Sequence, residues 1–137
     1  MLELVNWLIE IEEAASHVYS KAAKVFSKDK DYSRFLSHLS KDEVGHLNAM
    51  RRVENYLKDV DDFPAIITID EETKWDIEAP FIEFRTQLLS GKITKEELMN
   101  FVIILEYSEL NHLFTYTLNA IKEVIELRVF EYYKCAP

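Results

Sequence analysis

Apolar residues recur at alternating intervals of three and four along most of the chain, the periodicity of one buried face on an α-helix. Val5, Leu8, Glu12, Ala15, Tyr19, Ala22 and Phe26 form the first such stripe and predict a helix from about residue 2 to 26. Ser27 to Asp31 is polar and long enough only for a tight turn. A second stripe, Tyr32, Leu36, Leu39, Glu43, His46, Met50, Val53 and Leu57, predicts a helix over residues 32–58. Two long helices joined so closely must lie antiparallel.

Residues 59–73 break the pattern. They hold Asp59, Asp61, Asp62 and Pro64, then the β-favouring run Ile66-Ile67-Thr68-Ile69. No other segment would pair with such a strand, so the stretch reads as a crossover loop. A short helix is expected over 77–90, with Asp76 as N-cap, Pro80 in its first turn and Gly91 just past its end. Thr94-Lys95-Glu96-Glu97 is a capping box opening a last long helix. Its face carries Leu98, Val102, Leu105, Glu109, His112, Tyr116 and Asn119, and it runs to Glu126 or beyond. The expectation is one all-α domain spanning residues 1–137, an antiparallel bundle of three long helices and one short helix.

Composition narrows this picture. Two glycines and three prolines in 137 residues are too few for the frequent turns of a sandwich or barrel. A formal charge of −9 argues against a nucleic-acid partner, which needs clustered Lys and Arg. No apolar run approaches the roughly 18 residues that span a membrane, and no basic stretch precedes the first apolar residues. The single cysteine, Cys135, excludes an internal disulfide, a thiolate cluster or a Cys-x-x-Cys redox pair. A soluble, cytoplasmic helical protein is the expectation.

The chemistry lies in where the acids fall. Glu12, Glu43 and Glu109 occupy positions that the spacing assigns to the core, and His46 and His112 follow two of them at i+3 on the same face. A buried carboxylate is costly unless it is paired or bound to a metal, and no Lys or Arg shares these stripes. One such glutamate would commonly be a boundary residue reaching solvent, and one core histidine a hydrogen-bonded neutral imidazole. Three acids and two imidazoles on inward faces point instead to a cation. With the first turn centred near residue 29, Glu12 and Glu43 differ in height by about 4–5 Å, within reach of one another. Carboxylate with imidazole suits iron, manganese or zinc.

Other residues carry less weight. Tyr19 and Tyr116 each follow a stripe glutamate by seven and either support a site or fill the core. Glu106 could add a ligand, but its spacing favours an exposed helix carboxylate. His17 and His38 fall off the stripes, Glu83 lies at the wrong height, and Trp7 and Trp75 read as core or interface.

On these residues the chain resembles the rubrerythrin branch of the ferritin-like superfamily. The family's first helix carries Glu-x6-Tyr, matched by Glu12 and Tyr19. Its second carries Glu-x-x-His, matched by Glu43-Val44-Gly45-His46, and a later helix repeats Glu-x6-Tyr, matched by Glu109 and Tyr116. If Glu109 corresponds to Glu12, the counterpart of Glu43-x-x-His46 falls about 31 residues later, near position 140, past Pro137. The fourth ligand-bearing helix is then absent, replaced by Glu109-Leu110-Asn111-His112, or supplied by a second chain.

The resemblance implies a di-iron protein that handles peroxide, oxygen or iron redox chemistry. Its metal ligands would be Glu12, Glu43, His46, Glu109 and His112, with no catalytic residue beyond them and with manganese or zinc as alternative ions. Lacking a cysteine-rich rubredoxin-like domain, it would need a separate electron donor. A homodimer is expected, to cover the apolar surface left by an incomplete bundle. A second class of function stays open: a non-catalytic metal-binding sensory module, or a metal-free dimerisation bundle.

Overall fold

The computed structural model describes residues 1–60, 69–107 and 109–135, and the side chains of all of these except 109–111, 127–133 and 135. The described residues form five helices: α1 (Leu2–Val25), α2 (Lys30–Lys58), α3 (Glu71–Ser90), α4 (Lys95–Glu106) and α5 (Glu109–Cys135). The all-helical expectation holds. The count differs, because the expected last long helix is two helices; the short one is also longer than its apolar pattern suggests.

The α1–α2 hairpin follows its stripes closely. Val5, Leu8, Glu12, Ala15, Tyr19 and Ala22 are all buried, as are Leu36, Glu43, Met50, Val53 and Leu57 facing them. Two hydroxyls set the register: Ser33 Oγ donates to the Ala23 carbonyl and Ser40 Oγ to the Ser16 carbonyl, each at 2.8 Å. Both pairs are symmetric about residue 28, so residue 12 lies level with residue 44, between Glu43 and His46. That is a closer match in height than a turn centred at residue 29 implies. Asp29 caps α2 by accepting the Tyr32 backbone N–H at 3.2 Å.

Helix α3 begins at Glu71, where Asp70 accepts the Thr73 N–H at 2.7 Å. Pro80 therefore sits within the helix and not in its first turn. Ile77, Phe81, Phe84 and Leu88 form its buried face. Gly91 ends it at φ 69°, a left-handed conformation that glycine adopts without steric cost. Trp7 Nε1 donates to Glu78 at 2.6 Å, and the Tyr19 ring meets the edge of Phe84, so α3 runs parallel to α1. The expected crossover loop falls largely on residues 61–68, which lie outside the described residues.

The expected capping box opens α4, with the Thr94 side chain and Glu97 bonded reciprocally. Lys95 pairs with Asp29, and the Tyr32 hydroxyl donates to the Lys95 carbonyl at 3.1 Å. These contacts hold the start of α4 beside the start of α2, so α3 carries the chain back and α4 runs parallel to α2. Phe84 stacks on Phe101 at 4.9 Å, closing the core between α3 and α4.

The break after Glu106 has a cause in the pattern. The stripe Leu98, Val102, Leu105 would continue through Glu109, His112 and Tyr116, but a more apolar one begins at Leu110 and continues through Phe114, Thr117, Ile121 and Val124. At about 100° per residue these two faces are far apart on one straight helix. A break at the exposed Tyr107 lets each helix bury its own apolar face: Leu98, Phe101, Val102 and Leu105 on α4, and Phe114, Thr117 and Ile121 on α5.

Candidate metal centre

Three predicted ligands meet between α1 and α2. Glu12 is fully buried and Glu43 is 5% exposed. His46 Nδ1 lies 3.3 Å from Glu43 Oε2 and 3.6 Å from Glu12 Oε2. One donor atom from each residue falls within 4.8 Å of the others. Ligands bound at about 2.0–2.2 Å to one ion stand at most about 4.4 Å apart, so side-chain adjustments of a few tenths of an ångström close the set.

The decisive feature is Glu12. Among the described residues neither of its carboxylate oxygens has a hydrogen-bond partner, although both are removed from solvent. The imidazole at 3.6 Å is an ion-pair neighbour beyond hydrogen-bonding length. Among the described residues no Lys or Arg pairs with Glu12 or Glu43. Leaving a buried carboxylate without partners is costly, which is the condition a bound cation relieves.

The ionisation of the cluster reflects this crowding. Burial pushes the Glu43 carboxyl up to about 7, a rise that His46 opposes and Glu12 reinforces. The two carboxylates, Glu12 foremost, hold the His46 imidazole up at about 10 against the opposing effect of burial. The His46 side chain is 36% exposed, with its ring against Phe114 at 4.6 Å, so the imidazole forms the solvent-facing edge of the site.

A further carboxylate, which the spacing assigns to solvent, lies close enough to Glu43 to be influenced by it. Glu106, in the last turn of α4, is half-buried and accepts the Tyr19 hydroxyl at 2.8 Å. Burial raises its carboxyl, and Glu43 raises it further. Tyr19 is itself almost wholly buried, and its hydroxyl is raised by burial and then by Glu106. The sequence signal was available: Glu106 follows Val102 by four, so it shares that edge of the buried face as plausibly as Glu109 follows Leu105.

Of the two remaining predicted ligands, His112 is not among the residues brought to this cluster. His112 is exposed on α5, and the side chain of Glu109 lies outside the described residues. Tyr116 is exposed too, so it fills no core. His17 and His38 are exposed, as expected. Comparison with protein-family models, curated proteins and solved structures finds no match to this chain. The site must therefore be read from its own chemistry.

That chemistry is confined to the bundle interior. The groove of about 460 Å³ between α1 and α3 is lined by Glu10, Glu13, His17, Lys21 and Arg85 and includes none of the cluster. Two carboxylates and one imidazole, with Phe114 against the imidazole ring, bring together donors that suit a divalent transition metal.

Proposed function

We propose that this chain is a metal-binding protein of ferritin-like type whose site is built from Glu12, Glu43, His46 and Glu106. Iron is the first candidate ion, with manganese and zinc as alternatives. The observation that carries the proposal is the Glu12 carboxylate, fully buried, without a hydrogen bond, facing a second carboxylate and an imidazole. The return path of α3, which sets α4 parallel to α2, supports the same reading. It brings a carboxylate from a third helix to the Glu and Glu-x-x-His of the first two, the layout of di-metal bundle cores.

In this reading Glu12, Glu43 and His46 would hold the ion, and Glu106, which lies near Glu43, would add a further carboxylate. Tyr19 orients Glu106 through its hydroxyl. Iron bound in such a set supplies electrons to peroxide or oxygen. The protein's part is to supply negative charge, fix the donors and limit water. His46, at the exposed edge, is the residue a small substrate meets first. A redox role would call for an electron donor beyond the residues of this site.

A second reading rests on His46. A protonated imidazole beside both carboxylates neutralises part of their charge without metal, as in a structural or signalling bundle. The two readings differ under metal. With Fe²⁺, Mn²⁺ or Zn²⁺ at about 100 times the dissociation constant, the metal-site reading raises the melting temperature by roughly 5–15 °C. No shift with any of the three, together with equal or higher stability of Glu43→Ala, establishes the metal-free bundle. Peroxide turnover by the iron-loaded protein with a supplied reductant separates catalysis from sensing.

A further inference from the structure

Helix α3 is apolar on two faces, and only one of them is covered among the described residues. Ile77, Phe81, Phe84 and Leu88 are buried against α1 and α4. Roughly 130° around the same helix, Trp75, Ile82 and Leu89 are 59%, 46% and 63% exposed. They are spaced at seven and seven, so they form a single straight ridge along a helix about 30 Å long. Beside the ridge lies a shallow groove of about 280 Å³ whose walls include Glu10, Ala14, Glu78 and Arg85.

The ridge is symmetric about Ile82. If a second α3 lies antiparallel with its Ile82 opposite this one, each Trp75 meets the other copy's Leu89. The same register puts Glu78 within one residue of the level of Arg85 from the other copy. Both residues lie on the α1 side of the ridge, so a two-fold axis through Ile82 brings them to the same flank and forms the pair twice. Among the described residues Arg85 makes no ion pair within its own chain, whereas Glu78 engages Trp7 through Oε1 and keeps its second oxygen free for this role.

The wider charge pattern agrees. Residues 70–80 carry five acids, Asp70, Glu71, Glu72, Asp76 and Glu78, against Lys74. Residues 81–92 carry Glu83 against Arg85 and Lys92. Antiparallel pairing therefore sets an acidic half against a basic one and opposes the two helix dipoles, whereas parallel pairing sets like against like. Aromatic and aliphatic residues rimmed by charge are the usual anatomy of a specific interface.

We infer that the chain forms a two-fold symmetric homodimer through α3, with Ile82 on the axis, Trp75 packed on the other copy's Leu89, and paired Glu78–Arg85 contacts on the rim. The interface is isologous and independent of the metal site, which lies on the other side of α1.

The test is light scattering after size exclusion on the full chain, across a concentration series reaching about 100 µM. The wild type is expected at twice 16.2 kDa. Ile82→Lys and Leu89→Lys, both at exposed positions, are each expected to raise the dimer dissociation constant at least about tenfold while far-UV circular dichroism stays unchanged. Arg85→Glu should weaken the dimer less, and its deficit should shrink in about 1 M salt as the new repulsion is screened. A wild-type monomer at the highest concentration overturns the inference and leaves the ridge to a different partner. A dimer unaffected by both lysine variants overturns it too, since the interface is then elsewhere.

Discussion

The α1–α2 hairpin and the α4–α5 arm are both amphipathic, yet they treat their acidic residues differently. In the hairpin each stripe keeps one phase from end to end, and most of its residues are buried, Glu12 and Glu43 included. In the arm the apolar phase shifts between Leu105 and Leu110, and the helix breaks. His112 and Tyr116 are exposed there, while Glu106 on the earlier helix points to the cluster through Tyr19. An acid on an apolar stripe is thus informative only over the stretch where that stripe stays in phase.

This contrast can be broken by ligand substitution. Glu43→Ala is expected to weaken metal binding more than about 100-fold by calorimetric titration, and Glu106→Ala about tenfold. His112→Ala should change it less than about threefold. A loss at Glu109→Ala as large as that at Glu106→Ala would return the second-half ligand to the original stripe.

Core truncations sharpen it next. Leu36→Ala, at a wholly buried hairpin position, should cost about 2–5 kcal/mol in chemical denaturation. Ile125→Ala, 39% exposed on α5, should cost less than about 1 kcal/mol.

Metal-free stability should also depend on pH through the hairpin. Glu43 has a folded value near 7, above its ordinary value of 4.5, so the unfolded chain ionises first. Stability therefore falls as pH rises from about 4.5 to 7, by on the order of 1–3 kcal/mol. His46, raised to about 10, adds stability that is fully present below about 6.5 and lost as pH rises through 10. Denaturation at pH 5 and pH 8 checks the two steps together: Glu43→Gln should remove the part lost below about pH 7, and bound metal should abolish the difference. A metal-free wild type more stable at pH 8 would contradict the assignment of Glu43.

The smallest effect concerns register. Ser40→Ala deletes the hydroxyl contact to the Ser16 carbonyl and should cost about 1 kcal/mol without altering helicity.

Much of this architecture could be read from spacing alone, for reasons the residues make plain. The hairpin was readable because its turn is short and its stripes run unbroken through Glu12, Glu43 and His46. The start of α3 was not, because Pro80 suggested a first turn while the stronger cap, Asp70 with Thr73, lay ten residues earlier. The α4–α5 break was visible only by preferring the more apolar of two overlapping stripes, and the one containing Glu109 and His112 was the more polar. Glu106 was hidden by the same choice. The absence of hydrogen bonds to Glu12 is a tertiary fact, since it depends on which side chains fail to reach it.

The central claim is that the buried Glu12–Glu43–His46 cluster is a cation site. Its most direct test is anaerobic loading of the purified chain with Fe²⁺, exhaustive dialysis and elemental analysis, beside Glu43→Ala treated identically. The account predicts at least about one iron per wild-type chain and almost none in the variant. Wild-type protein retaining little metal, or a variant retaining as much as the wild type, would contradict it.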